Sequence, residues 1–171
     1  ASRSWHERAK LVAPDAAAGD QNGFSVALDG DWLATGAVGD FGDRAIGRSS
    51  GRVDVYHRDA DGWTHHTTVT RPSPGDGDRF GFSVALADGV LLVGAPGVDD
   101  EAGAAHVFRL DAPDAPPLEL RAPDAAAGDR FGDAVAFDGR TAFVGAPGRD
   151  GEAADSGAVF VFTADGERWE P

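Results

Sequence analysis

The stretch Gly-Phe-Ser-Val-Ala occurs twice, at 23–27 and 81–85, and a serine framed by small residues invites comparison with the Gly-x-Ser-x-Gly nucleophile elbow. The comparison fails on three points. The fifth residue is Ala, no helical pattern follows, and a third copy carries Ala134 where the serine should stand. The five histidines lack metal-ligand spacing, and the adjacent His65 and His66 of a strand face opposite ways, so they cannot chelate one ion together. Acid side chains gather in three loop-like stretches: Asp40 and Asp43 in 38–51, Asp99, Asp100 and Glu101 in 97–103, and Asp150, Glu152 and Asp155 in 148–157. Such groups could hold a hard cation, and they read more simply as solvated loops of an acidic protein. No pair of carboxylates stands out for glycoside hydrolysis, because acids are everywhere. No catalytic residue and no metal site is assigned. Together with Phe41, Arg44, Arg48 and Arg149, the loop acids form the candidate ligand-binding set.

Composition narrows the partners. The chain has 171 residues and a formal net charge of −14, which disfavours nucleic acid and anionic membrane surfaces. No apolar run approaches the ~20 residues of a membrane-spanning helix, and no signal peptide is visible. Absence of Cys excludes disulfides and thiolate metal sites. A chain that starts at Ala1 and has no Met is expected to be processed or cut from a longer product. Lys10 is the only lysine, Arg supplies the other basic charges, and Asp far outnumbers Glu. That surface chemistry suits a salt-loving microbe, whose concentrated salt screens the self-repulsion.

A repeat positions these residues. Val26, Val84 and Val135 recur at steps of 58 and 51 residues, and Gly36, Gly94, Gly145 and Asp20, Asp78, Asp129 keep the same steps. Each unit reads as four short strands with two-residue alternation: 23–28, 81–86 and 132–137 first; 32–37, 90–96 and 141–147 second; 52–57, 104–110 and 158–162 third; 63–70 and 116–121 fourth. Asp29-Gly30, Asp88-Gly89 and Asp138-Gly139 supply tight hairpins between first and second strands. A repeated four-stranded antiparallel unit is a propeller blade, so the fold expected is all-β.

The phrase "AGDRFGDAVAFDGRTAFVGAP…GAVFVF…W" resembles the FG-GAP repeat, the blade of integrin-alpha-type β-propellers, and most of all its short form in microbial surface proteins. The resemblance covers essentially the whole chain. It departs in the first copy, where Asn22 stands for Phe80 and Phe131, and Ala37-Val38 for Ala-Pro. That departure predicts different packing there. The resemblance implies a non-enzymatic adhesion or ligand-binding domain, extracellular or at the cell surface, with a protein or glycan ligand. Rival readings are an architectural unit of a surface layer, filament or viral appendage, and a hydrolase or lyase acting on a polysaccharide at the propeller face. It also implies a calcium loop between first and second strands, but only "LDGDW", "LADGV" or "FDGRT" stands there. So short a hairpin cannot wrap six or more oxygens round Ca²⁺, and no cofactor is expected.

The strand count predicts a permuted order: an outer strand at 5–11, blades at 23–70 and 81–121, and a blade at 132–162 followed by a stub of a fourth strand. Three blades cannot close a ring, since small propellers need ~4 or more. The chain is therefore expected to be part of a longer propeller, or to form a homo-oligomer in which two copies close six blades. Loops joining second to third strands, and fourth to first, should share one face of the disc, and the candidate set lies on it.

Overall fold

A computed structural model describes residues 4–39, 50–151, 153, 156–165 and 168–170. It holds three four-stranded antiparallel sheets. In the first, β1 (Asn22–Asp29), β2 (Trp32–Ala37), β3 (Arg52–Asp59) and β4 (Gly62–Val69) lie in sequence order. The second has β5 (Ser83–Ala87), β6 (Val90–Ala95), β7 (Ala104–Arg109) and β8 (Leu118–Leu120). The third has β9 (Ala134–Phe137), β10 (Thr141–Ala146), β11 (Ala158–Asp165) and β12 (Arg168–Glu170). One four-residue helical turn, α1 (Val98–Glu101), interrupts the strands. The fold is all-β, in blades of four strands.

Two expectations are corrected. Residues 5–11, expected as an outer strand, form no strand, and Trp5 is 96% exposed. A strand is held by its ladder, and this segment has no sheet edge beside it in the chain. The supposed C-terminal stub is instead β12, which pairs with Thr163, Ala164 and Asp165 of β11 and supplies the third sheet's outer strand. The strands therefore run one to four, three times over, and the order is not permuted.

Local chemistry explains the hairpins. Asp88 and Gly89 both have positive φ (51° and 70°) between Ala87 and its partner Val90, the geometry of a two-residue turn that Asp-Gly favours. Alternation then sends each strand's side chains to the two faces of its sheet. Ala34, Val53 and Val55 of the first sheet meet Phe80, Leu91, Val93 and Phe108 in one buried cluster. Leu92, Ala105 and Val107 of the second meet Phe131, Ala142, Val144 and Phe162 in another. The core thus lies between blades, not within one. Phe80 and Phe131 are fully buried, and each contributes ~2–3 kcal/mol by leaving water.

Candidate functional site

One face of the disc is built where the strand 2–3 and strand 4–1 connections meet. Asp20, Asp78 and Asp129 begin the contact: their carbonyls accept the backbone N–H of Gly39, Gly97 and Gly148 (3.0, 3.1 and 3.2 Å). The same three carboxylates are buried and each accepts a backbone N–H three residues upstream, from Ala17, Gly75 and Ala126 (2.7, 2.6 and 2.8 Å). Each is also met by an arginine: Arg52 at 3.6 Å, Arg71 at 3.1 Å and Arg149 at 2.8 Å. Burial pushes the Asp129 carboxyl up, but the Ala126 N–H and the Arg149 guanidinium outweigh it and hold the group below the ordinary carboxylate range. These acids tie down the loops. Their constant step in the sequence was the signal, and sequence reasoning did not assign them a role.

Of the candidate set, Asp99, Asp100 and Glu101 occupy α1, with φ of 51°, 56° and 65°. Left-handed backbone is costly for non-glycine residues, and Asp is among the few that tolerate it. The turn is fixed from several sides. Arg121 donates to Asp99 (2.6 Å) and Arg79 to Glu101 (3.0 Å), while the carbonyls of Asp100, Glu101 and Ala102 accept the N–H groups of Gly128, Arg130 and Phe131. Asp99 and Glu101 therefore join the second blade to the segment leading into the third. Arg149 ties the third blade's own loop to that same segment, bonding Asp129, the Asp124 carbonyl (2.7 Å) and the Asp124 carboxylate. Asp100 and Asp150 remain exposed on the loop face. Asp40, Phe41, Asp43, Arg44, Arg48, Glu152 and Asp155 lie outside the described residues. Among the described residues, no group of three or more His, Asp or Glu is gathered tightly enough to hold a metal ion.

The glycine-bearing phrases meet at the joints between blades. Gly81 of the second blade lies against Gly36 of the first so closely that a Cβ on Gly36 would stand 2.0 Å from the Gly81 carbonyl oxygen. Ser25 donates to that same oxygen (2.7 Å), Phe80 N–H donates to the Ser50 carbonyl (2.8 Å), and Gly51 bridges Phe80 in parallel. The next joint repeats this atom for atom: Gly94 on Gly132 (2.0 Å), Ser83 to the Gly132 carbonyl (2.8 Å), Phe131 N–H to Ala102, and Gly103 bridging Phe131. The serines of the apparent elbow are thus joint residues. Each Phe-Gly phrase is the plug of one blade, and each Gly-Ala-Pro phrase the socket of the blade before it.

The FG-GAP repeat pattern matches residues 5–56, 63–108 and 118–162. The chain belongs to the FG-GAP repeat family. No curated protein matches the chain. The family's repeats are offset from the sheets: the second and third matches open in a fourth strand, the first opens in the strandless N-terminal segment, and all three close within a third strand. The second and third matches therefore each span a joint.

In this FG-GAP chain the first copy's departure has a local cause. Asn22 stands where the other blades carry Phe, and it approaches Asp54 (Nδ2 to Oδ2, 3.4 Å), the counterpart of His106 and Phe160. Asp54 is fully buried yet also meets Arg52 (3.2 Å), Thr68 (2.7 Å) and His65 (3.3 Å). The aromatic contact of Phe80 with His106 and Phe108, or of Phe131 with Phe160 and Phe162, is replaced by a polar cluster. In the second blade, His106 reaches Glu119 (3.1 Å), and Arg121 bonds both Glu119 (2.7 Å) and Asp99. That network links the outer strand to the loop face, and nothing in residue spacing announced it.

Proposed function

We propose that this FG-GAP chain is a non-enzymatic binding and adhesion module of an extracellular or cell-surface protein from a salt-adapted microbe. Its ligand is a protein or glycan held on the face formed by the strand 2–3 and 4–1 loops. The observation that carries this reading is the division of labour among the charged loop residues. Asp99, Glu101 and Arg149 are committed to ion pairs that make the face rigid, while the Asp100 side chain stands exposed upon it. A rigid display of side chains on loops is the arrangement recognition uses. Asp129, held below the ordinary carboxylate range by the Ala126 N–H and Arg149 despite its burial, makes a poor proton donor near neutral pH, which argues against the hydrolase or lyase reading. The reading needs no cofactor: Asp29–Trp32 and Ala87–Val90 close as hairpins too tight to surround Ca²⁺.

The test is binding to a glycan array and to immobilised cell-surface protein in high salt, with the variant Asp100→Asn beside the native chain. Affinity should fall roughly tenfold or more, a loss of ~1.4 kcal/mol, while melting is unchanged. Binding indifferent to that variant would remove the loop face from the account. Polysaccharide cleavage by the native chain would replace binding with catalysis. Salt adaptation is checked in the same samples: at −14, melting temperature should rise between 0.1 and 1 M monovalent salt, as the Debye length shortens from ~10 to ~3 Å.

A further inference from the structure

Among the described residues, the third blade and the first blade each present one half of a blade joint with no blade of this chain docked on it. On the third blade the socket stands open. Gly145 is the counterpart of Gly36 and Gly94, but a Cβ there would meet only its own blade, at Ala134 3.5 Å away. Gly157, which corresponds to Gly51 and Gly103, has the same positive φ (75°, against 80° and 86°) and, among the described residues, no bridging phenylalanine. A shallow groove runs between them, lined by Gly145, Pro147, Gly157 and Val159. The apolar side chains around it are uncovered: Phe143 is 42% exposed, Val159 66% and Val161 45%. Their counterparts are Ala34, Val53 and Val55 in the first blade and Leu92, Ala105 and Val107 in the second, and none of these exceeds 8%.

On the first blade the plug stands free. Gly23 has the φ of the two docked plug glycines (91°, against 87° and 93°), with nothing within 4 Å of its Cβ position. Val26 and Leu28 beside it are each 64% exposed, while Leu86, the counterpart of Leu28, is 8% exposed.

We propose that the third blade's socket takes the first blade of a second copy of this chain, with Asn22-Gly23 seated on Gly145 and Gly157 as Phe80-Gly81 is seated on Gly36 and Gly51. The occupant is specified by the joint itself, which the chain forms twice internally with the same atoms. One chain presents both halves, on surfaces that do not overlap. Asn22 in place of Phe suits an intermolecular version of the plug, because it is a side chain that can remain exposed in the free chain. The contact is head-to-tail, so two copies supply six blades and a ring if the angles close. In that assembly the outer edge of β11 beyond Thr163, which β12 leaves uncovered, lies beside the partner's N-terminal segment.

Gly145 gives a clean test. In the free chain Gly145→Ala meets only ordinary contacts, whereas in the joint its Cβ would collide with a carbonyl oxygen. Particle mass by sedimentation in high salt should be that of two chains for the native protein and of one chain for Gly145→Ala, with both giving the same strand spectrum. Val159→Asp, which leaves the backbone alone, should likewise give single chains. A native protein that stays a single chain at 100 μM overturns the proposal. So does an oligomer that keeps its mass in both variants, because another surface would then hold it.

Discussion

His106 shows how one position in the repeat can set a response to pH. Its ring is buried between blades, edge-on to Phe80, and Nε2 lies 3.1 Å from Glu119. Burial lowers its pKa to about 4, against the opposing pull of the Glu119 carboxylate. The unfolded chain, with a histidine value near 6.5, therefore binds this proton more readily than the folded one. The stabilisation is full above pH ~6.5 and is lost as pH falls towards 4, a loss of about 3 kcal/mol across that window. His106→Phe places at this site the side chain that the third blade carries as Phe160. Urea unfolding at pH 7 and pH 4.5 should show the native chain losing ~2–3 kcal/mol more than the variant. Equal losses would mean that other groups govern the acid limb. The histidine's type and number were plain in the sequence, but its burial was not, because that depends on Phe80, the plug of its own blade, being folded against it.

Among the elements, α1 is the one that local propensity opposes. Asp99, Asp100 and Glu101 are held in left-handed backbone by carbonyl bonds to the segment at 128–131 and by Arg121 and Arg79. Asp100 is exposed, so substitutions there report on backbone rather than on packing. Asp100→Gly removes the steric cost while adding unfolded-state entropy, and stability should stay within ~1 kcal/mol of native. Asp100→Val should cost ~1–2 kcal/mol more, seen in parallel thermal melts, because a β-branched side chain is poorly accommodated at positive φ. If the two variants melt together, the turn is not strained. The strands were readable from alternation and from Asp-Gly turns, since both depend on neighbouring residues. The turn at 98–101 read only as an acidic loop, because its shape depends on bonds to a segment about 30 residues later. Residues 5–11 misled for a related reason: their strand-like composition finds no sheet edge in a single chain, whereas Arg168–Glu170 finds β11.

At the scale of the molecule, the FG-GAP phrases are the devices that join one blade to the next. The glycine spacing made the blades legible, but the purpose of each glycine required two phrases from different blades to be seen together. The central claim is that a glycine of the Gly-Ala-Pro phrase is needed because a carbonyl oxygen of the next blade occupies the place of its Cβ. Gly94 and Gly145 separate that claim from any general intolerance of the position, since they are counterparts in the repeat and only Gly94 carries a docked blade. The direct measurement is thermal melting of Gly94→Ala and Gly145→Ala, each diluted until it sediments as a single chain. The account predicts that Gly94→Ala loses ~1–3 kcal/mol or more, a fall of several degrees, and that Gly145→Ala melts with the native chain. Equal melting of the two variants, in either direction, would contradict it.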